Sequence, residues 1–153
     1  MSKILIADDS HDGADTLALL LAFYGHQTAA TYDGSEALAL AASFLPEAVI
    51  LDIDMPVIDG YSAAKLLHLL PAVRRPVLVA LTAVGGTAAL RRAADAGFDL
   101  HLIKPASARA LSGWIDALLL ERDQGNVREP MRSSTNDPSY SAAWMRSGDA
   151  DQE

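Results

Sequence analysis

Apolar residues follow two rhythms along the first 120 positions of the chain. Five short stretches are apolar almost without interruption, which predicts strands over Lys3–Asp8, His26–Thr31, Ala48–Asp52, Pro76–Thr82 and Phe98–Ile103. Between and after them, apolar residues recur every three to four positions, as Leu17, Leu20, Leu21 and Tyr24 do. That spacing predicts helices over Asp12–Tyr24, Gly34–Phe44, Asp59–Leu70, Thr87–Ala96 and Ser107–Leu120. Punctuation agrees with these bounds. Gly25 and Gly97 stand where a helix closes in a left-handed turn, and Pro46 and Pro71 follow residues that must leave the helical region.

Strands that alternate with helices predict a parallel sheet covered on both faces, hence an α/β fold. Ala48–Leu51 and Val77–Leu81 are apolar at every position, as central strands with core on both sides must be. In such sheets ligands bind outside the carboxyl ends of the strands. The first strand ends in Asp8-Asp9, the third in Asp52, the fourth in Thr82, and the fifth runs into Lys104-Pro105. Three carboxylates, a hydroxyl and an ammonium are therefore expected on one rim.

Composition narrows what that rim serves. Twelve Lys and Arg against twenty Asp and Glu give a formal charge of −8, the wrong sign for a nucleic-acid binder. There is no cysteine, which excludes disulfides, zinc–thiolate sites, iron–sulfur clusters and a thiol nucleophile. The N-terminal apolar stretch is cut at Asp8, too short for a signal peptide, and no later stretch is long enough to span a bilayer. A cytoplasmic location with no membrane insertion is expected.

Crowded acids repel, and a hard divalent cation with oxygen ligands, Mg²⁺ above all, relieves that repulsion. A cation there also attracts phosphoryl groups, and a carboxylate can attack phosphorus to give an aspartyl phosphate. An ammonium and a hydroxyl neutralise the equatorial oxygens of the transferring group, roles for which Lys104 and Thr82 are the right types. Taken singly, each residue has a plainer reading. Asp8-Asp9 can cap the next helix, Thr82 can be an ordinary strand residue, and Lys104 a solvated one. Their joint occurrence at one rim favours the site.

Four words in chain order carry a resemblance: Ile4-Leu5-Ile6-Ala7-Asp8-Asp9, Leu51-Asp52-Ile53-Asp54-Met55-Pro56-Val57-Ile58-Asp59-Gly60, Leu81-Thr82-Ala83 and Leu102-Ile103-Lys104-Pro105. Together they resemble the receiver domain of two-component response regulators, over about residues 3–120. The resemblance implies a flavodoxin-like doubly wound (βα)5 fold with a five-stranded parallel sheet in the order 2-1-3-4-5. It implies Asp52 as phosphoacceptor, with Mg²⁺ held by Asp9 directly, by Asp8 largely through water, by Asp52 and by the backbone carbonyl of Asp54. Thr82 and Lys104 are implied to bind the phosphoryl oxygens, the Lys104–Pro105 peptide to be cis, and Asp59-Gly60 to shape the loop beside the phosphoacceptor. Thr82 and the residue at position 101 form the implied switch. That residue, His101, departs from the Tyr or Phe usual in regulators with transcriptional outputs.

The implied function is a phosphorelay module that takes a phosphoryl group from a sensor histidine kinase or a histidine phosphotransfer protein and signals by contact with a downstream protein. Leu90, Arg91, His101, Arg109 and Trp114 are the candidates for that contact face. Two other readings are a receiver excised from a hybrid sensor kinase and a degenerate receiver used only for docking. An enzymatic alternative is a haloacid-dehalogenase-like phosphatase, since Asp52-Ile53-Asp54 fits its Asp-x-Asp word. Such a motif ends the first strand, whereas here it ends the third, and continuous turnover of p-nitrophenyl phosphate separates the two classes. Residues 1–122 read as the receiver, and a stand-alone receiver is expected. Residues 121–153, with four Arg and seven acids, show no helix or strand period. From 123 onward they read as a polar, disordered tail, in which Tyr140 and Trp144 offer a short docking helix as the lesser alternative.

Overall fold

The computed structural model describes residues 2–70, 74–124 and 132–134. Tyr140 and Trp144 lie outside the described residues. The elements run β1 (Lys3–Ala7), α1 (His11–Phe23), β2 (Gln27–Thr31), α2 (Gly34–Phe44), β3 (Ala48–Asp52), α3 (Gly60–Leu69), β4 (Val77–Thr82), α4 (Thr87–Ala96), β5 (Leu100–Ile103), α5 (Ala108–Asp123) and β6 (Arg132–Ser134). Five parallel strands take the expected order 2-1-3-4-5, and the short β6 adds to the free edge of β5.

Side-chain alternation along the strands builds two cores. Leu5, Ala7, Val49, Leu51, Leu78 and Ala80 face α2, α3 and α4, where Ala41, Leu67, Ala93 and Phe98 meet them. Ile4, Ile6, Ile50, Val79, Leu100 and Leu102 face α1 and α5, against Leu21, Leu111, Ile115 and Leu118. Every residue of β3 and β4 is buried, which is why these two strands show no polar alternation in the sequence. Helix starts are fixed by side-chain caps: Ser10 accepts from the Gly13 amide, Asp33 from Glu36, Asp59 from Ser62 and Ser107 from Ala110.

Most bounds lie within one residue of the sequence expectation, and the larger differences fall at β5 and at the C-terminus. β5 begins at Leu100 rather than Phe98. Asp99 leaves the strand pattern because its amide donates to Leu78 O and its carboxylate accepts from Leu78 N (2.8 and 2.9 Å). At the C-terminus, α5 continues to Asp123, and Arg132–Ser134 pairs in parallel with Leu100–Leu102 in a region read as lacking strand. Arg-Ser-Ser has no apolar alternation to announce a strand, and backbone pairing needs none. The step from β5 to β6 runs in the same direction as those over α3 and α4, yet it passes over α5, on the opposite face. It therefore has the opposite hand to them, the uncommon hand for a parallel crossover.

The β3–α3 loop is held tightly. Gly60 N donates to Ile53 O (2.9 Å), and a Cβ on Gly60 would stand 2.5 Å from Asp52 O, so only glycine lets α3 start this close to the end of β3. Ile58 N donates to Pro56 O (2.8 Å), closing a three-residue turn on Val57 at φ 69°. A β-branched residue there is strained, and its side chain is 83% exposed, so packing does not compensate. Val57→Gly is expected to stabilise the fold by about 0.5–1 kcal/mol, the relief of strain less the added chain entropy. Urea unfolding at constant m-value checks this, and a loss of stability would mean the Val57 side chain is held by something it gains from.

Candidate functional site

The parallel register brings the carboxyl ends of the strands level: Ala7 pairs with Leu51, Asp52 with Leu81 and Thr82 with Ile103. Asp8 and Asp9 leave β1, Asp52 closes β3, Thr82 closes β4 and Lys104 leaves β5 on this one rim. Carboxylate oxygens of Asp8, Asp9 and Asp52 all lie within 4.8 Å of one another. Asp8 and Asp52 are buried, and Asp9 is exposed. The Lys104 ammonium sits between the two buried acids, 3.2 Å from Asp8 Oδ2 and 3.1 Å from Asp52 Oδ1. The Lys104–Pro105 peptide is cis.

Local backbone donors orient the acids. Ser10 N donates to Asp8 Oδ1 (3.0 Å), and Asp54 N to Asp52 Oδ1 (3.3 Å). The Asp54 side chain itself points to solvent and stays outside the carboxylate cluster. The Thr82 hydroxyl is engaged elsewhere: it donates to Val84 O (3.1 Å) and accepts from Val84 N (3.2 Å). It is thus tied to the β4–α4 loop rather than to Asp52. This restraint had no signal in the sequence, since it depends on the turn the chain makes at Ala83.

Burial pushes the Asp52 carboxyl up to about 7, with the charge of Asp8 and a hydrogen bond to Asp9 adding to the rise and Lys104 opposing it. Burial works against the Lys104 charge, but its pairing with Asp52 and Asp8 wins and raises it. In the unfolded chain Asp52 is ionised above its ordinary value of 3.8. The folded state keeps its proton until about 7, so this group costs the fold increasing stability as pH rises from 4 through 7. Asp52→Asn is therefore expected to be more stable than the wild type at pH 8 without divalent cations, by on the order of 1–3 kcal/mol, and the gain disappears near pH 4. Thermal unfolding at the two pH values checks the sign.

The donor set suits a hard cation. Three oxygen-bearing acids converge, two of them withdrawn from water, and a single ammonium is left to balance them. Beside this cluster a cleft of about 750 Å³ opens between α1 and the β5–α5 loop. Asp8, Ser10, Asp12, Thr16 and Lys104 supply its polar lining, and Leu17, Leu20, Leu81, Pro105 and Ala106 its apolar wall. Leu17 and Leu20 register in the sequence only as helix periodicity; nothing there marks them as the wall of a cleft.

Of the candidate contact face, Arg91 and Arg109 are exposed, and Leu90 and Trp114 are half-buried. His101 is 1% exposed and so is not available at the surface. Among the described residues no helix is long and apolar enough to cross a membrane.

A family model described as the response regulator receiver domain matches residues 4–116. The transcriptional regulatory protein PrrA of Mycobacterium tuberculosis is 36% identical over 121 residues, which is 78% of this chain and 51% of that protein. The gliding motility regulatory protein of Myxococcus xanthus is 32% identical over 102 residues, 67% of this chain and 13% of that protein. This chain thus spans about half or less of the length of these curated relatives. Among solved structures, the Francisella response regulator 1452 receiver domain superposes with a TM-score of 0.73 at 27% identity, covering 80% of this chain and 99% of that one.

Proposed function

This chain belongs to the response regulator receiver domain family, and from that premise we propose that it accepts a phosphoryl group on Asp52 and signals by phosphorylation-dependent protein contact. The observation that carries the reading is the buried Asp52 carboxylate, flanked by Asp8, Asp9 and the Lys104 ammonium at one rim. An Asp52 oxygen forms the new bond to phosphorus. The bond from phosphorus to the leaving nitrogen or oxygen breaks, and its electron pair departs with that atom.

Asp8, Asp9, Asp52 and the Asp54 carbonyl are the groups that would hold Mg²⁺, which when bound supplies charge neutralisation for the phosphoryl oxygens. Lys104 leaves its bridging position to pair with one phosphoryl oxygen. Thr82 exchanges its bonds to Val84 for a second. The released β4–α4 loop and His101 then report the change. Dephosphorylation of Asp52 is assigned to the same residues.

The donor is a phosphohistidine protein, a sensor kinase or a phosphotransfer protein, and the cellular compartment the cytoplasm. Residues 1–122 form the receiver unit in this reading, and 123–153 an accessory segment. The absence of sustained apolar period after Arg122 supports the division.

Incubation with acetyl phosphate and Mg²⁺, followed by intact-mass measurement, tests the function. The expected result is a gain of one phosphoryl group. An unchanged mass, together with steady turnover of p-nitrophenyl phosphate, would replace the receiver chemistry by that of a phosphatase.

A further inference from the structure

His101 is the one buried ionisable side chain of the described residues with neither ring nitrogen hydrogen-bonded. Its neighbours in sequence, Leu100 and Leu102, point into the core under α1 and α5, so alternation turns His101 to the other face, beside Ala80 on β4. That face is covered by α2, α3 and α4 through small and apolar residues such as Ala93 and Ala96.

On β4, α3 and α4, and along the chain on either side of β5, the ionisable groups are committed or turned outward. On β4 there is none between Val77 and Thr82. On α4, Arg91, Arg92 and Asp95 are exposed, with Arg92 lying over the Tyr61 ring at 4.2 Å. Lys65 on α3 is exposed, and His68 lies 3.4 Å from Gly97 O. Along the chain, Asp99 accepts from Leu78 N and Lys104 pairs with Asp8 and Asp52. The β6 residue in register with His101 is Ser133, with Arg132 preceding it.

We propose that His101 is a proton-operated latch on the α4 side of the sheet: the neutral ring stays inside, and the protonated ring is expelled, carrying α4 and β5 with it. A neutral imidazole leaves one donor and one acceptor unmet, a tolerable cost. An imidazolium at the same place is a buried cation with no counter-charge bonded to it, which the interior does not accommodate. Burial alone lowers the ring from its ordinary value of 6.5, which is the direction the latch needs. The consequence is an α4–β5 surface that responds to acid below the ordinary histidine value of 6.5. Expulsion of the protonated ring needs no phosphoryl group, so the latch stands or falls apart from the phosphorylation reading.

Imidazole and backbone-amide NMR on the full chain, from pH 8 to 5, tests it. The expected result is a His101 ring that remains neutral through pH 6.5, titrates below it, and shifts the α4 and β5 amides at the same midpoint. Thermal unfolding of the wild type against His101→Phe gives a second reading. The wild type should lose up to about tenfold in its folding constant, relative to the variant, for each pH unit below the ordinary value. The response of Asp52 is common to both proteins and cancels in that difference. A ring titrating at its ordinary value, or one that takes up its proton while α4 and β5 stay still, would overturn the latch. Should His101→Phe not fold, the wild-type NMR titration decides alone.

Discussion

Asp52→Asn is expected to abolish phosphoryl uptake from acetyl phosphate and Mg²⁺, under conditions in which the wild type is expected to gain one phosphoryl group per chain. Asparagine matches the shape of the aspartate but offers no carboxylate oxygen to attack phosphorus. The site around it stays in place, since Asp52 ends a strand whose pairing to β1 and β4 involves backbone only. Loss of label is therefore loss of the nucleophile rather than of the fold, and the higher stability expected of this variant at pH 8 sharpens the distinction. Intact mass before and after incubation reads the result. The informative exception would be a labelled Asp52→Asn protein alongside a dead Asp54→Ala one. Asp54 points to solvent and contributes its amide to Asp52, so its side chain should be dispensable.

Asp9→Ala is expected to slow the same labelling by on the order of 100-fold or more, the scale of several kcal/mol that metal assistance supplies. Asp9 is the exposed member of the carboxylate cluster and holds no bridging ammonium, whereas Asp8 and Asp52 share Lys104. Its removal takes a ligand from the cation while leaving the buried pair intact. Binding to the native state alone raises stability by mass action, so Mg²⁺ at ten times its dissociation constant adds about 1.4 kcal/mol to the wild type. The variant should show little of that rise. Unfolding temperatures with Mg²⁺, against NaCl of equal ionic strength, measure the difference. Equal rises in both proteins would remove Asp9 from the cation site.

How much of this was legible beforehand follows from where each signal resides. Strand and helix identity was readable because covered parallel strands are apolar at every position and helices keep their period. The rim was readable because a charged residue that stops an apolar run, as Asp8, Asp52 and Lys104 do, can only emerge at its end. What rested on loop geometry was not readable. The Thr82 hydroxyl turns to Val84 because of how the chain bends at Ala83, and Val57 occupies a left-handed turn that its own chemistry disfavours. His101 was expected on a contact face but is sealed inside, since the sequence fixes which side of β5 it takes but not how completely α4 closes over it. β6 was missed because Arg-Ser-Ser carries no apolar alternation and backbone pairing leaves no trace in hydropathy.

That last strand has a consequence for how the protein breathes. Three residues pair with one neighbour only, and the chain reaches them by a crossover of the uncommon hand. A three-residue edge pairing has few cooperative hydrogen bonds, so its opening free energy is expected near the bottom of the range within the domain. In hydrogen exchange the β6 amides should lose protection first, long before those of β3 and β4, whose residues are all buried. Detachment uncovers the outer edge of β5, so the strand that carries His101 and leads into Lys104 alternates between a paired and an open flank while the rest of the sheet stays closed.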